Sequence, residues 1–100
     1  MYIHETRTGL RSFIKFNRAD WCAPCRRVAP IVEELAREFE GRATVAKLDV
    51  DAHPELARRC GIRSIPTLLF FRDGSVVDNV VGAASADVLA EKLEKLIASA

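Results

Sequence analysis

Trp21-Cys22-Ala23-Pro24-Cys25 sets two thiols two residues apart, between the strand-like Ser12-Phe13-Ile14-Lys15-Phe16 and a helical pattern running to about Phe39. Pro24 suits a first helical turn, where a missing N–H loses no partner. Cys22 is therefore predicted at a helix N-terminus. Unpaired N–H groups and the positive end of the macrodipole stabilise a thiolate there, drawing an ordinary thiol pKa of roughly 8.5 into a range of about 3.5 to 7.5. Cys25, one turn further in, is expected to be the buried thiol and Cys22 the exposed one. Such a pair can exchange disulfides: Cys22 attacks a partner's disulfide, and Cys25 resolves the mixed disulfide that results.

The same spacing is half of a zinc knuckle. Zinc would need two more ligands, and the chain offers Cys60, His53 and His4, with no second Cys-x-x-Cys and no His-x-x-x-His. A purely structural disulfide is disfavoured too, because so small a loop constrains little of the unfolded chain.

One hundred residues fit a single domain, residues 1–100, with one core. Fifteen basic against fourteen acidic side chains leave a formal charge of +1, so no broad attraction to nucleic acid or an anionic membrane is implied. No apolar run approaches the roughly 18 residues of a spanning helix, and no apolar signal segment opens the chain. An odd count of three cysteines argues for redox chemistry in a reducing compartment over a secreted disulfide framework. A cytoplasmic protein is expected.

From residue 24 to about 39, Val28, Ile31, Val32, Leu35 and Phe39 form one apolar stripe, with Glu33 and Arg37 paired on the wet side, Pro30 inside and Gly41 at the end. Thr44 to Val50 reads as a strand. A short helix follows from Asp51-Ala-His-Pro to about Arg59, with Gly61 as its stop. Pro66 to Phe71 is a nearly continuous apolar strand, and Asp73-Gly74 is a hairpin turn leading to an antiparallel strand, Val76 to Val81. Ser85 caps a last helix whose face is Val88, Leu89, Leu93, Leu96 and Ile97. Ahead of the motif, Tyr2-Ile3-His4 suits at most a short edge strand before a Thr8-Gly9 turn. The order implies an α/β fold with parallel strand pairs, helices on both faces and one antiparallel edge, and with the reactive helix start at a strand's carboxyl end.

These landmarks together resemble the thioredoxin family over roughly residues 13 to 98: the Trp21 to Cys25 motif, Pro30, the Val-Ala-Lys-Leu-Asp-Val strand, Ile65-Pro66-Thr67, Asp73-Gly74 and Val81-Gly82-Ala83. The resemblance implies a protein disulfide reductase with Cys22 as nucleophile and Cys25 as resolving thiol. It implies a cis Ile65-Pro66 bond beside the dithiol, and an apolar rim of Trp21, Ala23, Pro24, Ile65, Pro66, Gly82 and Ala83 that grips the client. It further implies no bound cofactor, electrons supplied from NADPH through a flavoprotein thioredoxin reductase, disulfide-containing client proteins as partners, and a monomer. A binding module with an idle dithiol is the alternative. The retained Cys22 and Cys25 favour the enzyme, because a scaffold has no need of low-pKa chemistry. Cys60 reads as a half-buried small apolar residue.

The chain departs from the family pattern twice. Only 21 residues precede Cys22, too few for the family's first strand and helix, so a sheet of about four strands with one face partly covered is expected. The polarity of Arg11, Lys15 and Asn17 suits such a half-solvated face. The second departure is chemical. Where the family places a buried aspartate below the resolving cysteine, this chain has Phe16, or Lys15 if one residue is inserted. Lys47, which resembles the lysine the family pairs with that acid, and Lys15 are expected to tune Cys25 by their positive charge.

Overall fold

Seven residues, Ser12–Arg18, form β1, with burial alternating as far as Phe16, and the rest of the sheet is assembled on both of its edges. The structure, a computed structural model, describes residues 12–98. Arg11, the edge strand at Tyr2-Ile3-His4, the Thr8-Gly9 turn and the expected loss of the family's first strand and helix all lie outside the described residues. After β1 come α1 (Ala23–Glu38), β2 (Thr44–Asp49), α2 (Pro54–Arg59), β3 (Thr67–Arg72), β4 (Ser75–Val81) and α3 (Ala86–Ala98). The four described strands make one sheet in the order β2-β1-β3-β4.

Strands β1 and β2 are parallel, from Phe13 opposite Thr44 to Arg18 opposite Asp49, as a strand–helix–strand crossover requires. Both β1–β3 and β3–β4 are antiparallel, so the sheet has one antiparallel pair more than the predicted single edge. The reason lies in the connection. β2 ends at Asp49 beside Arg18, and β3 begins at Thr67 opposite Asn17, at the same end of β1. A connection holding only the six-residue α2 keeps the chain at that end, and β3 must run back.

Alternation along β1 sends Ile14 and Phe16 into the main core. There they meet Val28, Val32 and Leu35 of α1, Leu68 and Phe70 of β3, and Leu89, Leu93 and Leu96 of α3. The opposite face carries Phe13, Lys15 and Asn17. Phe13 packs on Phe71 with ring centroids 5.2 Å apart, and Lys15 reaches Cys60 at the end of α2. α1 and α3 thus cover one face, and the short α2 reaches the other at Lys15. The expected solvation of the second face holds only in part, because Asn17 is fully buried. Its Nδ2 donates to the carbonyls of Thr67 at 3.1 Å and Lys15 at 3.4 Å, so the main chain takes up the donor side of the amide that had suggested water.

Local expectations are met with small shifts. Asp73 (φ 54°) and Gly74 (φ 87°) are both left-handed, as a two-residue hairpin with the sheet's twist demands. Ser85 Oγ accepts from the Val88 N–H. Val88 itself is exposed and leaves α3's buried face to Leu89, Leu93 and Leu96. Arg37 pairs with Glu34 at 2.7 Å rather than with Glu33. Three-residue spacing brings those two side chains together on the helix surface as effectively as four does.

Candidate active site

Strand β1 ends at Arg18, and four residues later the chain enters α1 with Cys22 as its N-cap, in extended conformation (φ −88°, ψ 106°). Cys22 N–H donates to the Ala19 carbonyl at 3.2 Å, closing the turn. Its Sγ accepts from the backbone N–H of Cys25, also at 3.2 Å, the place a serine or aspartate oxygen takes at an ordinary cap. Pro24 occupies the first turn, which holds no acidic residue. No side-chain charge there opposes negative charge on the Cys22 sulfur.

Cys22 and Cys25 are joined in a disulfide, with Cα atoms 5.2 Å apart. The expected contrast in exposure is not what the oxidised site displays: Cys22 is 3% exposed and Cys25 1%. Capping explains it. A sulfur folded back over the first turn to meet the Cys25 N–H is covered by that turn and by its own disulfide partner. The large exposed side chain of the motif is Trp21, at 67%.

The predicted rim is brought together unevenly. The Ile65-Pro66 bond is cis, and the Gly82 N–H donates to the Pro66 carbonyl at 2.8 Å, tying the start of β3 to the end of β4. Pro66 is buried, Ile65, Pro24 and Gly82 are half-buried, and Ala23 and Ala83 are exposed. A shallow, mostly apolar groove of about 290 Å³ lies against the indole, lined by Trp21, Val50, Ala57, Ile62, Arg63, Ser64 and Ile65. Val50, Ala57 and Ile62 were not anticipated. Their signal was the apolar spacing around α2, a helix too short to announce which residues face the motif.

Phe16, at the position of the family's acid, is 1% exposed and shares the core cluster with both cysteines. The buried polar residues among the described ones are Ser12, Asn17 and Thr67, none of them an acid. Lys47 lies opposite Phe16 across β1–β2 and is solvent-exposed. Lys15, expected to help tune Cys25, is corrected: a strand alternates its side chains, and one step from Phe16 turns Lys15 to the other face. There its Nζ lies 3.3 Å from Cys60 Sγ and 5.5 Å from the centre of the Phe71 ring.

Sequence reading also passed over a set of charges at the motif's flank. Arg18 bridges Asp20 (2.6 Å) and Asp49 (3.3 Å), Arg26 donates to the Asp20 carbonyl, and Trp21 Nε1 donates to Asp51 Oδ2 at 2.7 Å. Laying β1 and β2 parallel in register would have placed Arg18 opposite Asp49 and exposed the signal. Arg18, beside Asp20 and bonded to it, holds that carboxyl below the usual carboxylate range.

Comparison with known proteins agrees with this geometry. The thioredoxin family model matches residues 9–95. Over 77 residues the chain is 51% identical to thioredoxin 1 of Nostoc sp., covering 77% of this chain and 72% of that one. It is equally identical over 79 residues to a chloroplastic M-type thioredoxin of Pisum sativum, covering 79% of this chain and 46% of the pea protein. Among solved structures, a mutant thioredoxin from Halobacterium salinarum superposes with a TM-score of 0.85 at 37% identity, over 95% of this chain and 82% of that one.

Proposed function

Because the chain belongs to the thioredoxin family and is a thiol–disulfide oxidoreductase, we propose that Cys22 is its attacking thiolate and Cys25 its resolving thiol. The observation that carries the assignment is the cap. Cys22 Sγ sits at the start of α1 and accepts the Cys25 N–H, so negative charge on it meets a donor and the positive helix end. Cys25 lies inside the first turn and has no such place.

The thiolate of Cys22 attacks one sulfur of a client disulfide. A bond from Cys22 Sγ to the client forms, the client S–S bond breaks, and one client thiolate leaves. Cys25 then loses its proton and attacks Cys22 Sγ. The intramolecular disulfide forms and the second client thiolate departs, two electrons having passed to the client. With Phe16 below the pair, water receives the Cys25 proton. Lys47, exposed across from Phe16, adds a screened positive charge to that step.

Trp21, Ala23, Pro24, Ile65, Pro66, Gly82 and Ala83 form the surface that receives the client segment, a reading supported by the apolar groove beside the indole. Net charge near neutrality leaves recognition to shape and local chemistry. Return to the dithiol draws electrons from NADPH through a flavoprotein thioredoxin reductase, and the protein acts as a monomer in a reducing compartment, the cytoplasm. No described helix is long and apolar enough to cross a membrane.

Replacing Cys25 by Ser should accumulate mixed disulfides through Cys22, mapped by mass spectrometry of trapped clients. Adducts found instead at Cys25 in a Cys22→Ser chain would overturn the roles. Insulin turbidity with dithiothreitol tests the reductase activity itself, and a chain no faster than dithiothreitol alone would refute it.

A further inference from the structure

Trp21 is the most exposed large apolar residue of the described chain, yet its indole is held by a chain of contacts that begins in the strand behind it. Arg18 spreads its guanidinium between two carboxylates, Nη2 on Asp20 Oδ1 at 2.6 Å and Nη1 on Asp49 Oδ2 at 3.3 Å. The other oxygen of Asp49 accepts the backbone N–H groups of Asp51 (2.9 Å) and Ala52 (3.3 Å). That turn presents Asp51, whose Oδ2 takes the Trp21 Nε1–H at 2.7 Å. On the near side Asp20 precedes Trp21 directly, and Arg26 of α1 holds the Asp20 carbonyl at 2.6 Å. Both ends of the chain of contacts therefore meet at Trp21.

We propose that Arg18 is a positioning residue for client capture: through Asp49 and the 51–52 turn on one side and Asp20 on the other, it sets the angle of the Trp21 indole over the groove beside the dithiol. A planar guanidinium can satisfy two carboxylates at fixed directions, which a flexible ammonium cannot. Arg18 is partly withdrawn from solvent, with 21% of its side chain exposed, against 88% for Asp20. The Asp49 arm is the better shielded, with Asp49 31% exposed, and it carries more of the ordering. Its value rests on the reading of Trp21 as part of the client surface.

Trp21 is the sole tryptophan of the chain, so its emission and anisotropy report this group alone. In the oxidised full chain, Arg18→Ala should lower Trp21 anisotropy and shift its emission. It should raise KM for a disulfide client about two- to fivefold while kcat stays within about twofold, the scale of a partly exposed ion pair. Arg18→Lys should recover less than half of either change. Asp49→Asn, which retains an oxygen for the two N–H groups and loses only the charge partner, should move Trp21 in the same direction and decides the matter if Arg18→Ala does not fold. Native Trp21 anisotropy in Arg18→Ala, or in a folded Asp49→Asn, overturns the proposal. Trp21→Ala separates the two readings: if its KM is native while Arg18→Ala still mobilises the indole, the positioning stands and the client role of Trp21 falls.

Discussion

The two faces of β1 differ by one residue of register and in how they pack. Toward α1 and α3 the strand shows Ile14 and Phe16, closed among aliphatic and aromatic side chains that also enclose the dithiol. Toward α2 it shows Phe13, Lys15 and Asn17, where a ring pair, a lysine–thiol contact and an amide on a main-chain carbonyl replace that packing. The apolar face is the bed on which Cys22 and Cys25 rest, and among the described residues it buries no acid. The face able to hold polar groups is turned away from the chemistry.

The largest effect should come from opening the closed face. Phe16→Ala removes a fully buried ring and should cost about 3–5 kcal/mol, read from denaturant unfolding. Phe16→Asp is also expected to destabilise, but on the folded protein it should hasten resolution of the mixed disulfide near pH 7 by up to about 10²-fold and flatten its rise with pH. A pH–rate series identical to the native one would mean that proton removal from Cys25 does not limit the step. Lys47→Ala should slow resolution by less than about twofold, because its charge acts through solvent.

Asn17→Leu sharpens the contrast from the other side. Asn17 Oδ1 meets no donor among the described residues, while Nδ2 serves the Thr67 carbonyl. Exchanging the two Nδ2 hydrogen bonds, to the carbonyls of Thr67 at 3.1 Å and Lys15 at 3.4 Å, for relief of a buried, unpaired oxygen should leave stability within about 2 kcal/mol of native. A loss near that of Phe16→Ala would show that the second face is as closely specified as the first. Lys15→Met should cost less than about 1 kcal/mol and leave the dithiol's pH–rate profile unchanged, since Lys15 serves Cys60 and Phe71 on the far side.

The smallest effect belongs to the margin of the closed face, where Asp78 of β4 takes Lys92 Nζ at 2.9 Å. That hydrogen bond holds the Asp78 carboxyl below its ordinary range. A lowered folded-state pKa contributes stability above the unfolded value and loses it as pH falls through the folded one. Asp78→Asn should therefore cost a few tenths of a kcal/mol at pH 7, about what a half-exposed pair supplies, and nothing once both forms are protonated in acid. A loss that persists in acid would point to packing instead of charge.

Much of the architecture was legible because its determinants are local. Proline inside the first turn after Cys22, Asp-Gly between two apolar runs and Ser85 before an apolar stripe each act within a few residues, and each stands where it was read. The direction of β3 was not legible, because it depends on which end of the sheet a short connection leaves and re-enters. The Arg18 contacts escaped for a similar reason: Arg, Ala and Asp before a motif read as an ordinary loop until β2 is laid beside β1.

By itself the sequence determined the dithiol, the helix that receives it, the family and the absence of an acid at Phe16, since each rests on residue type and short spacing. Tertiary structure alone decided that Cys22 is covered in the oxidised site, that Lys15 belongs to Cys60, and that Arg18, Asp49 and Asp51 converge on Trp21. Those outcomes depend on strand register and on contacts across 30 to 45 residues, where one step along a strand exchanges the two faces.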